Sequence, residues 1–129
     1  MLFSGDVGFY SGALKLHEEL SSVDAFDVEM LPGVSSVQYF CAKVPTTWQD
    51  AYLISVHGRA CNVCGAVRSH AKTFVLTGGA VKAQDVCHEL DAAGLGAVEV
   101  WIGERLSYAD ERIVCSGCAS WNAPPGAAG

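Results

Sequence analysis

The sequence predicts an α/β protein, because strand-type and helix-type segments alternate along it. "TFVLTGG" (73–79) reads as a buried strand ending in two glycines. "AVKAQDVCHELDAAG" (80–94) follows as a helix, with Val86, Leu90 and Ala93 at helical spacing and Gly94 where a left-handed C-terminal residue belongs. "AVEVWIG" (97–103) then reads as the next strand.

The other elements follow in chain order. "FSGDVGFYSGALKL" (3–16) is a tight glycine-containing loop that feeds a helix over 11–21. Ser11 is its expected cap, and Ala13, Leu16 and Leu20 share one face. "DVEML" (27–31) reads as a short strand cut off by Pro32-Gly33. "SSVQYFCAKV" (35–44) reads as a second helix, capped by Ser35 or Ser36, with Val37, Phe40, Cys41 and Val44 as its apolar stripe. Pro45 stops it. "AYLISVHG" (51–58) is a strand, 62–70 a short helix, and "ERIVC" (111–115) a strand reached through the turn-rich "RLSYAD". "NAPPGAAG" reads as a loose tail.

Composition bounds the function classes. Half of the 129 residues are apolar and 17% are charged, which suits one packed core rather than disorder. The formal net charge of -6 argues against a nucleic-acid partner, which a basic face would recognise. No apolar run approaches the roughly 18 residues needed to cross a bilayer. Residues 1–15 show no secretory pattern, so a cytoplasmic protein with reduced thiols is expected. Among six cysteines, Cys41 and Cys87 fall in apolar helical patterns as small hydrophobes. Cys61-x-x-Cys64 and Cys115-x-x-Cys118 raise a rival reading, a non-catalytic module held by a four-thiolate zinc site or by self-association. The gap between the pairs is much longer than in compact zinc ribbons, and no metal is expected.

In open α/β sheets, ligands sit beyond the carboxyl ends of strands. Three small-residue bends stand at such places: Gly5-Asp6-Val7-Gly8, Pro32-Gly33-Val34-Ser35 and Leu76-Thr77-Gly78-Gly79. Each lets a ligand approach the backbone closely. No P-loop or GxGxxG fingerprint is present.

The ordered set "SGDVGFYSGALKL", "VEMLPGVSSVQYFCAKV", "LISVHGR", "FVLTGG" and "VWIGERLSYADERI" resembles the tetrapyrrole methylases, nearest to the precorrin-6Y / cobalt-precorrin-7 C5-methyltransferase branch of cobalamin biosynthesis. The resemblance covers nearly all of residues 3–115. It implies a two-domain fold with S-adenosylmethionine held between the domains, and methylation of a precorrin or cobalt-precorrin ring carbon. Residues 1–31 would then be a remnant of the N-terminal domain (loop, helix, strand). Residues 33–129 would be the C-terminal domain, a mixed sheet flanked by helices. The family's first glycine-rich motif has no counterpart here, so activity is expected to need the complete protein. A homodimer is expected, and a separate decarboxylating methyltransferase subunit is a candidate partner.

By the same resemblance, Gly5, Asp6 and Tyr10 match one donor-site motif, with Val7 where a proline is usual. Ser35 and Ser36 match the next, and Leu76 and Thr77 match a strand end near the donor. Asp6 is the candidate polar group at the reacting centre; bonding to amides in its own turn is the plainer alternative. Tyr10 lines the macrocycle site or packs beneath its loop. Arg59 and Arg105 are the candidate partners for substrate carboxylates, with Arg68 and Lys72 also available. His57 is expected to be structural.

Overall fold

The computed structural model describes residues 5–25, 27–58 and 60–118. Their elements run α1 (Ala13–Ser21), α2 (Ser36–Lys43), β1 (Tyr52–Ser55), α3 (Val63–Ser69), β2 (Thr73–Leu76), α4 (Ala83–Ala92), β3 (Glu99–Glu104) and β4 (Arg112–Gly117).

Local chemistry sets the helix boundaries. Ser35 caps α2: its Oγ accepts the Gln38 N–H at 3.2 Å, and Gln38 Oε1 accepts the Ser35 N–H at 2.9 Å. This reciprocal pair satisfies two amides that the first turn would leave without partners. Asn62 Oδ1 accepts the Gly65 N–H at 2.7 Å and starts α3. Asp85 Oδ2 accepts the Lys82 N–H at 2.8 Å at the start of α4. Gly94, φ +76, ends that helix in the left-handed conformation expected of it. Ser11 acts one residue early: its Oγ accepts the Ala13 N–H at 3.2 Å, while Gly12 stands at the cap position.

β1 and β2 pair in parallel, with Ile54 opposite Val75 and Leu53 opposite Phe74. Ile54, Val63, Ala66, Val86, Cys87 and Leu90 form the core on the face covered by α3 and α4, and Val75 packs against them. Strand alternation turns Phe74 to the opposite face. There it meets Phe40 of α2 at 6.2 Å and Phe9 of the opening loop at 6.1 Å between ring centroids. A parallel pair covered on both faces reads as a near-continuous apolar run, as "YLIS" and "TFVL" do.

β3 and β4 form an antiparallel pair in which Ile102 faces Val114. Ile102, Val100 and Val114 join the α3/α4 core. On the other face Gly103 lies against the Phe40 ring, at 2.7 Å from where its Cβ would stand. The turn after β3 closes on itself, Glu111 Oε2 accepting the Ser107 N–H at 2.7 Å. It is tied to α2 by Lys43 Nζ and Glu111 Oε1, 3.4 Å apart. The Glu111 carboxyl is held below its usual range, by Tyr39 first and the Ser107 amide next.

The expected mixed sheet is seen in part: β1-β2 is a parallel pair and β3-β4 an antiparallel pair, with no ladder joining them among the described residues. One expectation is corrected. Residues 27–31 form no strand, because a strand needs a partner and none pairs with them there. Ser35→Ala is expected to lower stability by about 1 kcal/mol through loss of the cap, measured by urea denaturation followed by circular dichroism.

Candidate functional site

The opening loop is built by its own aspartate. Asp6 Oδ1 accepts the Gly8 N–H at 2.8 Å, and the Asp6 carbonyl accepts the Phe9 N–H at 3.2 Å. Gly5, φ +83, turns the chain toward the Pro32–Ser35 bend. There the two backbones touch: a Cβ on Gly33 would collide with the Gly5 carbonyl, and one on Gly5 would lie 3.5 Å from the Val34 carbonyl. Two of the three bends are therefore in direct contact. Tyr10 fixes the loop from its other end, donating its hydroxyl to the Leu53 carbonyl of β1 at 3.2 Å.

The start of α2 and the end of β2 meet across a cavity. Ser36, at the start of α2, lines an open cavity of about 930 Å³ together with Leu76 and Thr77 at the end of β2. Ser35 itself is buried and spends its hydroxyl on the cap. Gly78 and Gly79 follow with φ of +152 and +66. The His57 ring fills the space a Cβ on Gly78 would need, which gives that histidine a packing role at the turn.

Thr77 also borders a smaller cavity of about 280 Å³, shared with Gly78, Lys82, Glu104 and Arg105. Arg105 is exposed there, with φ +50, paired through Nε to Asp110 and resting 5.2 Å from the Tyr108 ring centroid. Asp6 and Tyr10 line neither cavity. Arg59 lies outside the described residues. The structure thus joins Gly5 to the Gly33 bend, Ser36 to Leu76 and Thr77, and Thr77 to Arg105. The sequence reading passed over Lys82 and Gly103; a glycine in mid-strand, marking a close approach, was the available signal for the second.

The thiols scatter rather than converge. Cys61 and Cys115 are exposed, whereas Cys118 is fully buried in the core beside Cys87. Burial, then the neighbouring Cys118, pushes the Cys87 thiol up to about 12. Cys64 points at Glu89, Sγ to Oε1 3.5 Å. Among the described residues no group of three or more potential ligands could hold a metal ion. Among the described residues no helix is long and apolar enough to cross a membrane.

Comparison with known proteins now decides the family. The pattern described as Tetrapyrrole (Corrin/Porphyrin) Methylases matches residues 1–117. The chain belongs to the tetrapyrrole methylase family. It is 34% identical over 113 residues to the cobalt-precorrin-7 C(5)-methyltransferase of Salmonella typhimurium strain LT2, covering 88% of this chain and 54% of that protein. It is 30% identical over 117 residues to the precorrin-6Y C(5,15)-methyltransferase (decarboxylating) of a Sinorhizobium species, covering 88% of this chain and 27% of that one. The chain thus spans about half the length of the Salmonella relative. No solved structure matches it significantly.

Two outcomes check this geometry. With a thiol-specific disulfide reagent at pH 8, Cys61 and Cys115 are expected to react in the native protein, while Cys41, Cys87 and Cys118 wait for denaturation; simultaneous protection of Cys61, Cys64, Cys115 and Cys118, released by a chelator, is the pattern a zinc site gives. Gly33→Ala is expected to cost about 1–3 kcal/mol, the range for forced overpacking, read as a lowered thermal midpoint.

Proposed function

We propose that this chain forms the donor-binding portion of an S-adenosylmethionine-dependent C-methyltransferase acting at C5 of a precorrin or cobalt-precorrin in cobalamin biosynthesis. Family membership carries the reading, and the named relatives act at that position on such macrocycles. The meeting of two small-residue bends supports it locally: the backbones at Gly5 and Gly33 approach so closely that a side chain on Gly33 would collide with the Gly5 carbonyl.

When bound, the donor supplies a sulfonium methyl that passes in line to a nucleophilic ring carbon, leaving a neutral thioether. The protein's task is then positioning and exclusion of water rather than strong base chemistry. Ser36 and Thr77 offer hydroxyls, and Leu76 an apolar contact, at the end of β2. Gly5 and Asp6 shape the loop that faces the second bend, with Ser35 holding that bend through its cap. Asp6 keeps its Oδ1 in the turn, and the carboxylate's remaining capacity is proposed to face the reacting centre. Tyr10 is proposed to border the macrocycle side, held by its bond to β1. Arg105, with Arg59, is proposed to meet substrate carboxylates, since a guanidinium fork suits a carboxylate. The complete protein supplies the opposite wall of the cleft, and with it homodimer contacts and any decarboxylating partner.

The test is calorimetric titration with S-adenosylhomocysteine, on this chain alone and after addition of the part of the Salmonella relative that the chain does not match. Stoichiometric heat in either mixture, weakened at least tenfold by Thr77→Val, is the expected result. No heat in both would overturn the reading.

A further inference from the structure

We infer that the turn after β3 is a carboxylate-exchange device: Asp110 occupies the Arg105 guanidinium until a carboxylate of an acidic ligand takes its place, while Glu111 holds the turn in shape. This rests on the proposed reading of Arg105 as a cation for substrate carboxylates, and adds two acidic neighbours with opposite effects. Arg105 and Ser107 hold φ of +50 and +70 without being glycine. Left-handed positions of this kind are costly and persist only where the surroundings over-determine them. Here the Tyr108 N–H reaches the Arg105 carbonyl and the Glu111 N–H reaches the Tyr108 carbonyl, each at 3.1 Å. Leu106 lies against Gly103 of β3. Glu111 Oε2 takes the Ser107 N–H at 2.7 Å.

The two adjacent carboxylates are held very differently. Glu111 leaves 19% of its side chain exposed. Besides the Ser107 amide it meets Lys43 at 3.4 Å and Tyr39, both on α2, so it pins the turn to a helix. Asp110 leaves 62% of its side chain exposed, as does Arg105, and the two pair at the surface. An exposed pair holds weakly, within roughly fivefold of no pairing at all. Asp110 can therefore give way to another carboxylate, whereas displacing Glu111 would undo the turn.

The place of exchange is the smaller cavity, of about 280 Å³, which Arg105 borders with Thr77, Gly78 and Lys82. Glu104 stands on the same rim but is already paired with Arg112 at 3.6 Å. The Arg105 guanidinium also rests 5.2 Å from the Tyr108 ring centroid. That contact uses the face of the guanidinium and leaves its edge to hydrogen-bond a carboxylate, so the side chain stays anchored while its partner changes. The ligand chemistry is the one Asp110 itself displays. A molecule carrying several carboxylates has the advantage, because a second one held by Lys82 raises the effective concentration of the first at Arg105.

The test titrates the full chain with uroporphyrin, a porphyrin polycarboxylate, followed by tryptophan fluorescence. Asp110→Asn is expected to tighten binding about two- to fivefold, because the internal competitor is weakened. Glu111→Ala removes a negative charge too, yet is expected to weaken binding about tenfold, because the turn that presents Arg105 relaxes. Glu111→Gln keeps an oxygen for the Ser107 N–H and is expected to recover most of that loss. In an Arg105→Ala background both effects are expected to vanish, since each acts through that arginine. Thermal midpoints report folding, and Asp110→Asn, at an exposed pair, decides the sign even where Glu111→Ala does not fold. The proposal is overturned if uroporphyrin does not bind, if Asp110→Asn fails to tighten binding, if a folded Glu111→Ala fails to weaken it, or if either effect survives Arg105→Ala. Arg105, Asp110 and Glu111 do not line the larger cavity, so heat with S-adenosylhomocysteine stands or falls separately.

Discussion

The packing of Phe9 and Phe40 on Phe74 holds the opening loop to the rest of the molecule. Both rings stand close to the one phenylalanine of β2. Tyr10, next to Phe9 and 5.0 Å from it between centroids, then reaches the β1 backbone. Aromatic pairs of this kind contribute about 0.5–1.5 kcal/mol each beyond the area they bury. Here they also fix where Gly5 stands, and so whether the first bend can touch Gly33. Loss of the Phe74 ring would loosen the loop and the middle of α2 together, because Phe9 and Phe40 both lean on that side chain.

Much of this was readable from residue patterns. The cap of α2 follows from Ser35 with Gln38 three residues on, and the end of α4 from Gly94. β1 and β2 follow from apolar runs between turn signals. What pattern could not give was pairing. "DVEML" has strand-like residues, but strands exist only in ladders, and the described residues offer it no neighbour. The division into two sheets was equally hidden, because the period of "AVEVWIG" is indifferent to which strand lies beside it. At the site, the bends were visible as small-residue clusters, whereas the contact of Gly5 with Gly33 depends on how two distant loops fold back.

Asp6 is seen in the plainer of the two readings offered for it, as a turn-forming aspartate. Its Oδ1 bond to the Gly8 amide is the turn chemistry typical of aspartate in a glycine loop. That bond also sets the direction of the carboxyl group. With valine at position 7, nothing in the loop fixes φ as a proline ring would, so the burden of shaping the turn falls more heavily on Asp6. A side chain bonded within its own turn is less free to reorient than one left in solvent.

The charge distribution sets a condition on any acidic ligand. Lys72 lies 2.8 Å from Asp50, Lys43 3.4 Å from Glu111, Arg112 3.6 Å from Glu104, and Arg105 pairs with Asp110. Arg68 donates to the Ala93 carbonyl at 2.7 Å. A carboxylate from any acidic ligand must therefore compete with an internal partner for most of these cations. Exposed pairs yield easily, being worth about 0–1 kcal/mol, and Arg105–Asp110 is of that kind. Lys72 is different: it also donates to the Thr47 carbonyl at 2.9 Å, so it closes the turn before β1. Removing it for a ligand would cost local structure as well as a charge pair. Of the two, the arginine beside Thr77 is the cation that could be given up to an acidic ligand without undoing the fold.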